Sequence, residues 1–161
     1  MAEFSQTVVI NRPVAQVFEF VRDLENDAAW SGRSAAEIRR TSSGPVGVGT
    51  TFRQRTRFLG RRLDLVLEVI DYQLNRSITL KTTSRQLSFT GTREVESVGD
   101  AATRVTFTGS GSAGGVWGFA EPLVAAVGRL RLRTQLAQLK RVLEVPALGD
   151  ARDHQTYPNG G

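Results

Sequence analysis

Few side chains in this sequence could carry out chemistry. The chain has no cysteine and one histidine, His154, which lies in a polar segment near the C-terminal end. Cysteine chemistry is therefore excluded, and within the predicted domain so are a Ser–His–Asp triad and a histidine-based metal site. Asp64 and Glu68 lie four residues apart on a predicted strand, too far from each other for a catalytic carboxylate pair. We expect neither a metal nor a cofactor.

Arg93 and Tyr72 are the remaining candidates for a chemical step. Arg93 falls on a strand face that otherwise carries apolar residues. A guanidinium there needs a carboxylate or a ligand oxyanion to offset its desolvation. It could anchor the polar end of a substrate or polarise an enol or carbonyl oxygen, and the alternative is a structural ion pair or a side chain that reaches the pocket rim. Tyr72, with Asp71 beside it, could assist an aldol-type cyclisation, in which positioning supplies much of the rate.

A series of short strands and one long helix would position these side chains. The sequence predicts a first strand from Phe4 to Asn11 and a helix that begins near Pro13. A second short helix, acidic at its start, is expected from Asp23 to Trp30. Alternating segments separated by turn residues then predict an antiparallel sheet. Its further strands run from Ala36 to Thr41, Thr51 to Phe58, Leu63 to Tyr72, Ser77 to Thr83, Gln86 to Glu96 and Thr103 to Gly109.

The last predicted element is a long amphipathic helix from about Gly118 to Glu144. Its apolar residues recur at helical spacing and define one face. They are Leu132, Leu136, Leu139 and Leu143, extended toward the helix start by Leu123, Val127 and Leu130. Because the apolar face of a sheet must be buried, we expect this helix to cover it, and a curved sheet would enclose a pocket beneath the helix.

A glycine-rich segment, GSGSAGG at 109–115, leads into this helix and is expected to be a flexible hinge. Gly109, Gly111 and Gly114 also match the G-x-G-x-x-G spacing of dinucleotide-binding loops. No strand follows the helix, so the βαβ unit is missing, and arginines rather than an acid lie about twenty residues further on. We therefore expect no nucleotide to bind here.

Alternation along the predicted strands separates an inner, helix-facing side of the sheet from an outer side. From Leu63 to Val69 the odd positions are apolar, while Asp64 and Glu68 lie opposite, so the odd positions should face the helix. The residues that we expect to contact a ligand on this inner face or at its rim are Trp30, Phe52, Gln54, Thr56, Leu65, Leu67, Leu80, Phe89, Arg93, Phe107, Trp117, Leu123, Val127 and Leu130.

Several of these residues have a purely structural alternative. Gln54 and Thr56 could orient a ligand hydroxyl, or they could satisfy each other or a buried water. Trp30 and Trp117 could cover a flat ligand, although such residues more often contribute to a core.

Taken together, these features resemble one known family. The segments RPVAQVFEFV at 12–21, DLENDAAW at 23–30, GPVGVGT at 44–50 and EVIDY at 68–72 resemble START-like proteins of the SRPBCC superfamily, and more narrowly their polyketide cyclase/dehydrase and lipid-transport group. The resemblance covers roughly residues 3–145 and implies an α+β helix-grip fold, a curved antiparallel sheet wrapped around a long C-terminal helix. Similar proteins hold a hydrophobic molecule between sheet and helix, and some cyclise or dehydrate polyketides there.

The chain is basic, with a net charge of +5, and 19 of its 21 basic residues are arginine. Arg53, Arg55 and Arg57 alternate on one strand and should project from the outer face. They could contact RNA phosphates, or they could pair with Asp64 and Glu68 across the hairpin. Because no exposed aromatic residues interleave with them, the ion pairs are favoured, and we do not expect a nucleic-acid partner.

The sequence predicts one domain over residues 1–145 and a disordered tail over 146–161. The lack of cysteine, of a charged-then-apolar leader and of an apolar run of about 18–20 residues favours a cytoplasmic protein without a membrane span. The leading hypothesis is a binding protein for a hydrophobic or polycyclic small molecule. The alternatives are a polyketide-cyclase-like enzyme that uses the same cavity and, third, an RNA- or ribosome-contacting module. Monomer and homodimer both stay open.

Overall fold

The computed structural model describes residues 2–31, 37–58, 61–82, 87–113 and 121–145. The order of elements is the predicted one and confirms the helix-grip fold. Their bounds are Ala2–Ile10 (β1), Val14–Val21 (α1), Leu24–Ala29 (a 3₁₀ helix), Glu37–Arg40 (β2), Thr51–Phe58 (β3), Arg61–Gln73 (β4), Ser77–Thr82 (β5), Leu87–Ser97 (β6), Thr103–Ala113 (β7) and Glu121–Glu144 (α2).

The strands form one antiparallel sheet in the order β1-β7-β6-β5-β4-β3-β2. Each strand from β2 to β6 pairs with the next one along the chain, as expected for a series of hairpins. The first strand, β1, instead closes against β7, so the first and last strands lie side by side. The final helix, α2, therefore emerges next to β1, and it packs mainly on that strand.

Strand β7 continues past its predicted end, so the hinge predicted at 109–115 is wrong as far as Ala113. Gly109 pairs with Phe4 of β1 and with Gly91 of β6. A Cβ atom on Gly109 would lie 2.6 Å from Cζ of Phe4 and 2.8 Å from Cε2 of Phe89. Glycine occurs in this strand because two aromatic rings cross it closely, and not because the backbone must bend there. Residues 114 and 115 lie outside the described part of the chain.

The inner face of β4 carries the predicted residues. Leu65, Leu67 and Val69 are buried, whereas Val66 between them is 45% exposed. The pairing with β5 shifts between Val69 and Asp71, which is the mark of a β-bulge. The bulge lets Tyr72, rather than Asp71, pair with the buried Ile78, and it leaves Asp71 exposed.

The two short helices after β1 are fixed by capping and by apolar spacing. Pro13 precedes α1 with extended dihedral angles, and Val17, Phe18 and Val21 form the buried face of that helix. The predicted second helix is a 3₁₀ helix, and the Asp23 carboxylate caps it by accepting a 3.0 Å hydrogen bond from the backbone N–H of Glu25. These helices bring one buried acid toward the inner face of the sheet, as described below.

Helix α2 buries the predicted leucine face against the β1 side of the sheet. Leu132, Leu136 and Leu139 are buried, and Leu143 is half-buried. Leu130, which was expected on the same face, is 68% exposed. The reason is helical geometry: Leu130 and Leu139 are nine residues apart, about two and a half turns, so they point in opposite directions. The structure describes this helix from Glu121, and the predicted start at Gly118 lies outside the described residues.

The C-terminal end of α2 is tied to the end of β1 by polar contacts. The backbone N–H of Asn11 donates to Oε1 of Glu144 at 2.8 Å, and Nε of Arg12 donates to the carbonyl of Leu143 at 2.8 Å. Basic groups near a helix C-terminus satisfy its free carbonyls. Among the described residues, no helix is long and apolar enough to cross a membrane.

The buried side chains form two separate clusters. The first joins α2 and α1 to β1, β6 and β7, and it includes Trp30, Phe107 and Leu136. The second joins the 3₁₀ helix to strands β2–β5, and none of the α2 side chains that the structure describes belongs to it. Tyr72 packs against both clusters. The described side chains of α2 thus pack on the β1 end of the sheet, while the 3₁₀ helix packs on the other end.

Candidate functional site

Burial along the inner face of the sheet is graded. Val69, Ile78 and Val105 are fully buried. Their neighbours toward the other end of the same strands keep some accessible surface: Leu65 and Leu67 each keep 7%, and Leu80 and Phe107 each keep 6%. These four residues come from β4, β5 and β7, so the accessible surface spans the middle of the sheet. Burial on this face is therefore complete toward one end of the strands and slightly less than complete toward the other.

Arg93 lies on the inner face, as predicted, and it is paired within the protein. Its Nη1 donates to Oδ1 of Asp27 at 2.9 Å and to the carbonyl of Val21 at 2.9 Å, and its Nη2 donates to Oδ2 of Asp27 at 2.5 Å. This bidentate ion pair joins β6 to α1 and to the 3₁₀ helix. Of the two predicted roles for Arg93, the structure thus contains the structural ion pair, and nothing in it tests the ligand-binding role.

The carboxylate partner, Asp27, is one of the few charged groups in the core. It is 5% exposed, and burial raises the pKa of its carboxyl above the ordinary value. The charge and hydrogen bonds of Arg93 favour the ionised form and oppose that rise in pKa. The sequence did not point to Asp27, because it shares a short acidic helix with Asp23 and Glu25 and only the fold shows which acid turns inward.

Trp30 ends the 3₁₀ helix and lies beside Arg93. Its ring meets Phe107 edge to face, with centroids 5.6 Å apart and planes at 68°. Cζ of Arg93 lies 5.6 Å from the Trp30 ring centroid and 4.8 Å from that of Phe107. Such distances allow cation–π attraction to both rings. Trp30 is 4% exposed, so it lies in the core, which was the favoured one of the two alternatives for this residue.

Tyr72 faces the junction between the two clusters. Its hydroxyl accepts a 3.0 Å hydrogen bond from Nη1 of Arg22, and its ring lies 5.6 Å from that of Phe18. Arg22 was not predicted as part of the site. The phenol can still donate its own proton to another oxygen, since the hydrogen bond from Arg22 uses only a lone pair.

The other predicted ligand residues are placed unevenly by the structure. Phe52 is fully buried in the second cluster, and Gln54 is half-buried and takes part in a polar interaction. Phe89 is half-buried and stacks on Phe4, with centroids 6.0 Å apart. Trp117 and the side chains of Thr56, Leu123 and Val127 lie outside the described part of the structure. The exposed Leu130 points away from the buried face of α2.

The outer face of the sheet carries two arginines of β3, Arg53 and Arg55, which are exposed. Arg55 approaches Asp64 at 3.4 Å and Glu37 at 3.8 Å, and all three side chains are more than 60% exposed. Asp64 was one of the predicted partners, whereas Glu68 lies opposite Thr51 in the ladder. Ion pairs this exposed contribute little to stability.

An open groove that the sequence did not predict lies at the sheet edge. It has a volume of about 370 Å³ and runs between β1 and the C-terminal half of α2. Four of its nine lining residues are charged: Arg133, Lys140, Arg141 and Glu144. Lys140 is already held by Glu144 at 2.6 Å and by the carbonyl of Val9 at 2.7 Å. Such a charged lining suits a hydrophobic ligand less well than the inner face does.

Comparison with known proteins gives a family match and several structural matches. The family model described as polyketide cyclase / dehydrase and lipid transport matches residues 1–144. No curated protein matches the chain. A START superfamily protein from Mycobacterium smegmatis has a TM-score of 0.76 at 13% identity, covering 89% of this chain and 98% of its own. A protein from Thermus thermophilus has a TM-score of 0.74 at 16% identity, covering 88% and 96%.

A third structural match carries a functional name. It is the di-domain ARO/CYC BexL from the BE-7585A biosynthetic pathway, with a TM-score of 0.68 at 16% identity. The match covers 88% of this chain and 46% of the BexL chain. At such identities these structures establish a shared fold, and they do not carry a substrate or an activity across.

Proposed function

The chain belongs to the family described as polyketide cyclase/dehydrase and lipid transport, and on that basis we propose that it binds a hydrophobic small molecule on the inner face of its sheet. The proposed ligand is lipid-like or polycyclic. It lies over the middle strands, beside the stretch of α2 that packs on β1. No metal or nucleotide takes part in this proposal.

The graded burial of the inner face carries the proposal. Leu65, Leu67, Leu80 and Phe107 keep accessible surface although each points into the fold, while their neighbours Val69 and Val105 keep none. A hydrophobic ligand over these strands would cover this remaining surface, at a gain of about 25 cal/mol for each Å² of apolar surface removed from water.

The separation of the two clusters supports the same proposal. Among the described residues α2 makes its contacts mainly with β1, and the cluster over β2–β5 contains none of its side chains. A ligand over the middle strands would contact both clusters and join them. Tyr72 packs against both clusters, and together with Trp30 and Phe107 of the first cluster it would offer aromatic surface to a flat molecule.

The proposal is tested by titration with N-phenyl-1-naphthylamine, an uncharged dye with a naphthalene and a phenyl group, which fluoresces when it leaves water. We expect saturable binding of one dye molecule per chain, with a blue-shifted emission. Palmitate and fluorenone, added as competitors, then show whether a lipid chain or a flat ring system displaces the dye better. Emission that rises linearly with dye, or that no competitor lowers, would contradict the proposal.

A second candidate function, a cyclase or dehydrase, is favoured by the family description and by the contacts of Tyr72. The hydrogen bond from Arg22 holds the phenol in place and leaves its proton free for a ligand oxygen. A substitution of Arg93 would not distinguish binding from catalysis, because it would leave the buried Asp27 without its ionic partner and so disturb the fold. Tyr72 has no such buried ionic partner.

Replacing Tyr72 by phenylalanine should therefore separate the two functions. A binding protein is expected to keep its affinity for the dye within about threefold, since the change removes no more than one hydrogen bond. An enzyme that uses the phenol would bind a synthetic poly-β-ketone thioester equally well but would lose about 100-fold or more of its cyclised product, measured by chromatography. Equal product yields from the wild-type protein and Tyr72→Phe, both above the yield without protein, would exclude a role of the Tyr72 hydroxyl in the chemical step.

A further inference from the structure

The two edge strands of the described sheet differ in how they are protected against pairing with another chain. At one edge, β2 spans Glu37–Arg40, and three of its four residues are charged. At the other edge, β1 spans the nine residues Ala2–Ile10 with a single charge, Glu3, and no proline. Short length, charges and proline keep an edge strand from accepting a further strand. Since β1 has almost none of these features, its free edge is the more open of the two.

The C-terminal end of α2 covers one end of this edge. Nζ of Lys140 donates to the carbonyl of Val9 at 2.7 Å, and the backbone N–H of Asn11 donates to Oε1 of Glu144 at 2.8 Å. The backbone groups of Val9 and Asn11 therefore point toward the helix and away from β7. Side chains of α2 here satisfy polar groups that a further strand would otherwise satisfy.

The part of the edge at Ser5 and Thr7 is not covered in this way. Backbone groups of a strand point to alternate sides, so the N–H and C=O groups of Ser5 and Thr7 point the same way as those of Val9. Arg12, at an even position, agrees with this alternation, because its carbonyl accepts a 2.7 Å hydrogen bond from the hydroxyl of Thr103 on β7. In the described part of the chain, no hydrogen bond from α2 reaches the backbone of Ser5 or Thr7. Two donors and two acceptors are thus free to pair with a further strand.

The groove between β1 and α2 follows this open part of the edge. Gln6, Thr7 and Val8 form its β1 wall. The hydroxyl of Thr7 lies on the outer face, where it meets the hydroxyl of Thr106 at 3.0 Å, whereas Val8 packs against the first cluster on the inner face. A groove that residues of both faces line must run along the edge between them. Its volume of about 370 Å³ therefore lies beside β1, where a further strand would pair.

The charges of the α2 wall select the kind of strand that fits. Lys140 is paired with Glu144, whereas Arg133 and Arg141 are exposed and have no ionic partner among the described residues. These two arginines are eight residues apart, which is about 12 Å along the helix axis. A strand covers that distance in about four residues, an even number, so the two side chains at its ends lie on the same face. Two acidic side chains four positions apart on an added strand would each meet one arginine.

We propose that the free edge of β1 binds an extended segment of a partner protein that carries two acidic residues four positions apart. The segment pairs with the backbone of Ser5 and Thr7, and its acidic side chains contact Arg133 and Arg141. A second copy of this chain fits less well, because its own groove carries the same positive charge. The surface is separate from the inner face of the sheet, so this inference does not depend on the proposed function.

Amide hydrogen exchange of the unmodified protein tests the open edge. After correction for intrinsic rates, the N–H groups of Ser5 and Thr7 should exchange at least about tenfold faster than those of Gln6 and Val8, which point toward β7. The acetylated and amidated peptide TEVTVET, at saturation, should slow Ser5 and Thr7 at least about tenfold. Exchange at both residues that is already slow in the free protein, through a second copy or through the chain itself, would overturn the inference.

The affinity of the same peptide, measured from amide shifts at about 0.15 M salt, tests the charges. The control peptide TEVTVTE has the same composition, but its acidic residues are five positions apart and lie on opposite faces, so it should bind about threefold more weakly. Arg133→Glu/Arg141→Glu should weaken TEVTVET binding at least about tenfold. Arg131→Glu, on the same helix but outside the groove, should change it less than about twofold. Equal affinities for the two peptides, an unaffected double variant, or no binding of TEVTVET would overturn this inference and leave dye binding, and with it the proposed function, untouched.

Discussion

Replacing Asp27 by asparagine is expected to lower the free energy of unfolding by about 3–5 kcal/mol. The variant would leave the Arg93 guanidinium in the core without a counter-charge, and the side chain of Arg93 is only 13% exposed. The matched control is Asp23→Asn in the same short helix, where asparagine caps the backbone as well as aspartate does and the expected change is below about 0.5 kcal/mol. Urea unfolding of both variants measures the difference.

The pH dependence of Arg93→Met checks the same ion pair from the other side. Methionine removes the two influences that lower the pKa of Asp27, so burial and the charge of Asp23, which both raise it, remain and the pKa rises further. A group whose pKa is raised on folding contributes stability that is complete below its unfolded value, here 3.8, and that is lost as the pH rises through the folded value.

The stability deficit of Arg93→Met relative to wild type should therefore be largest near neutral pH and shrink toward pH 4. The double variant Asp27→Asn/Arg93→Met should recover much of the loss seen in Asp27→Asn, because no buried charge is left unpaired. A deficit that stays constant with pH, or grows toward acid, would show that the pair does not hold Asp27 in its ionised form.

Replacing Leu65 by tryptophan is expected to weaken dye binding at least about tenfold while changing the free energy of unfolding by less than about 1 kcal/mol. Leu65 points to the inner face and keeps 7% of its surface accessible, so the larger ring can occupy the space that we assign to the ligand. In an interior without such space, the added volume would destabilise the fold by about 1–3 kcal/mol.

The matched control is Val66→Trp. Val66 is the next residue of β4, points to the outer face and is 45% exposed, so it receives the same bulky ring on the other side of the sheet. Its dye affinity should stay within about twofold of wild type. A strongly destabilised Leu65→Trp, or equal dye affinity in the two variants, would mean that the inner face holds no ligand-sized space.

The sequence predicted those parts of the molecule that follow from periodicity. Odd positions of β4 point inward because a strand repeats every two residues, and this held for Leu65 and Leu67. The leucine face of α2 followed from the helical repeat in the same way. The prediction for Leu130 was wrong because this residue was added to the face for being apolar, although its angle around the helix axis places it on the opposite side. The family resemblance supplied the topology that periodicity cannot give.

Features that depend on distant residues could not be predicted from local pattern. The bulge that turns Tyr72 inward is set by the pairing of β4 with β5, and a single strand carries no sign of it. The choice of Asp27 as the partner of Arg93 depends on how the 3₁₀ helix lies against β6, a contact between residues 66 positions apart. Gly109 was predicted to be part of a hinge, because the ring for which it leaves room, that of Phe4, belongs to another strand and is not visible in the local sequence.

The location of a bound molecule tests the central claim most directly. Isotope-filtered nuclear Overhauser spectra of the ¹³C-labelled protein with bound naphthylamine dye report which methyl groups lie within about 5 Å of the dye. We predict cross-peaks to Leu65, Leu67 and Leu80 on the inner face. Cross-peaks confined to Val66 and Ile70 on the outer face, or to Val8 and Ala137 in the groove at the sheet edge, would contradict the claim.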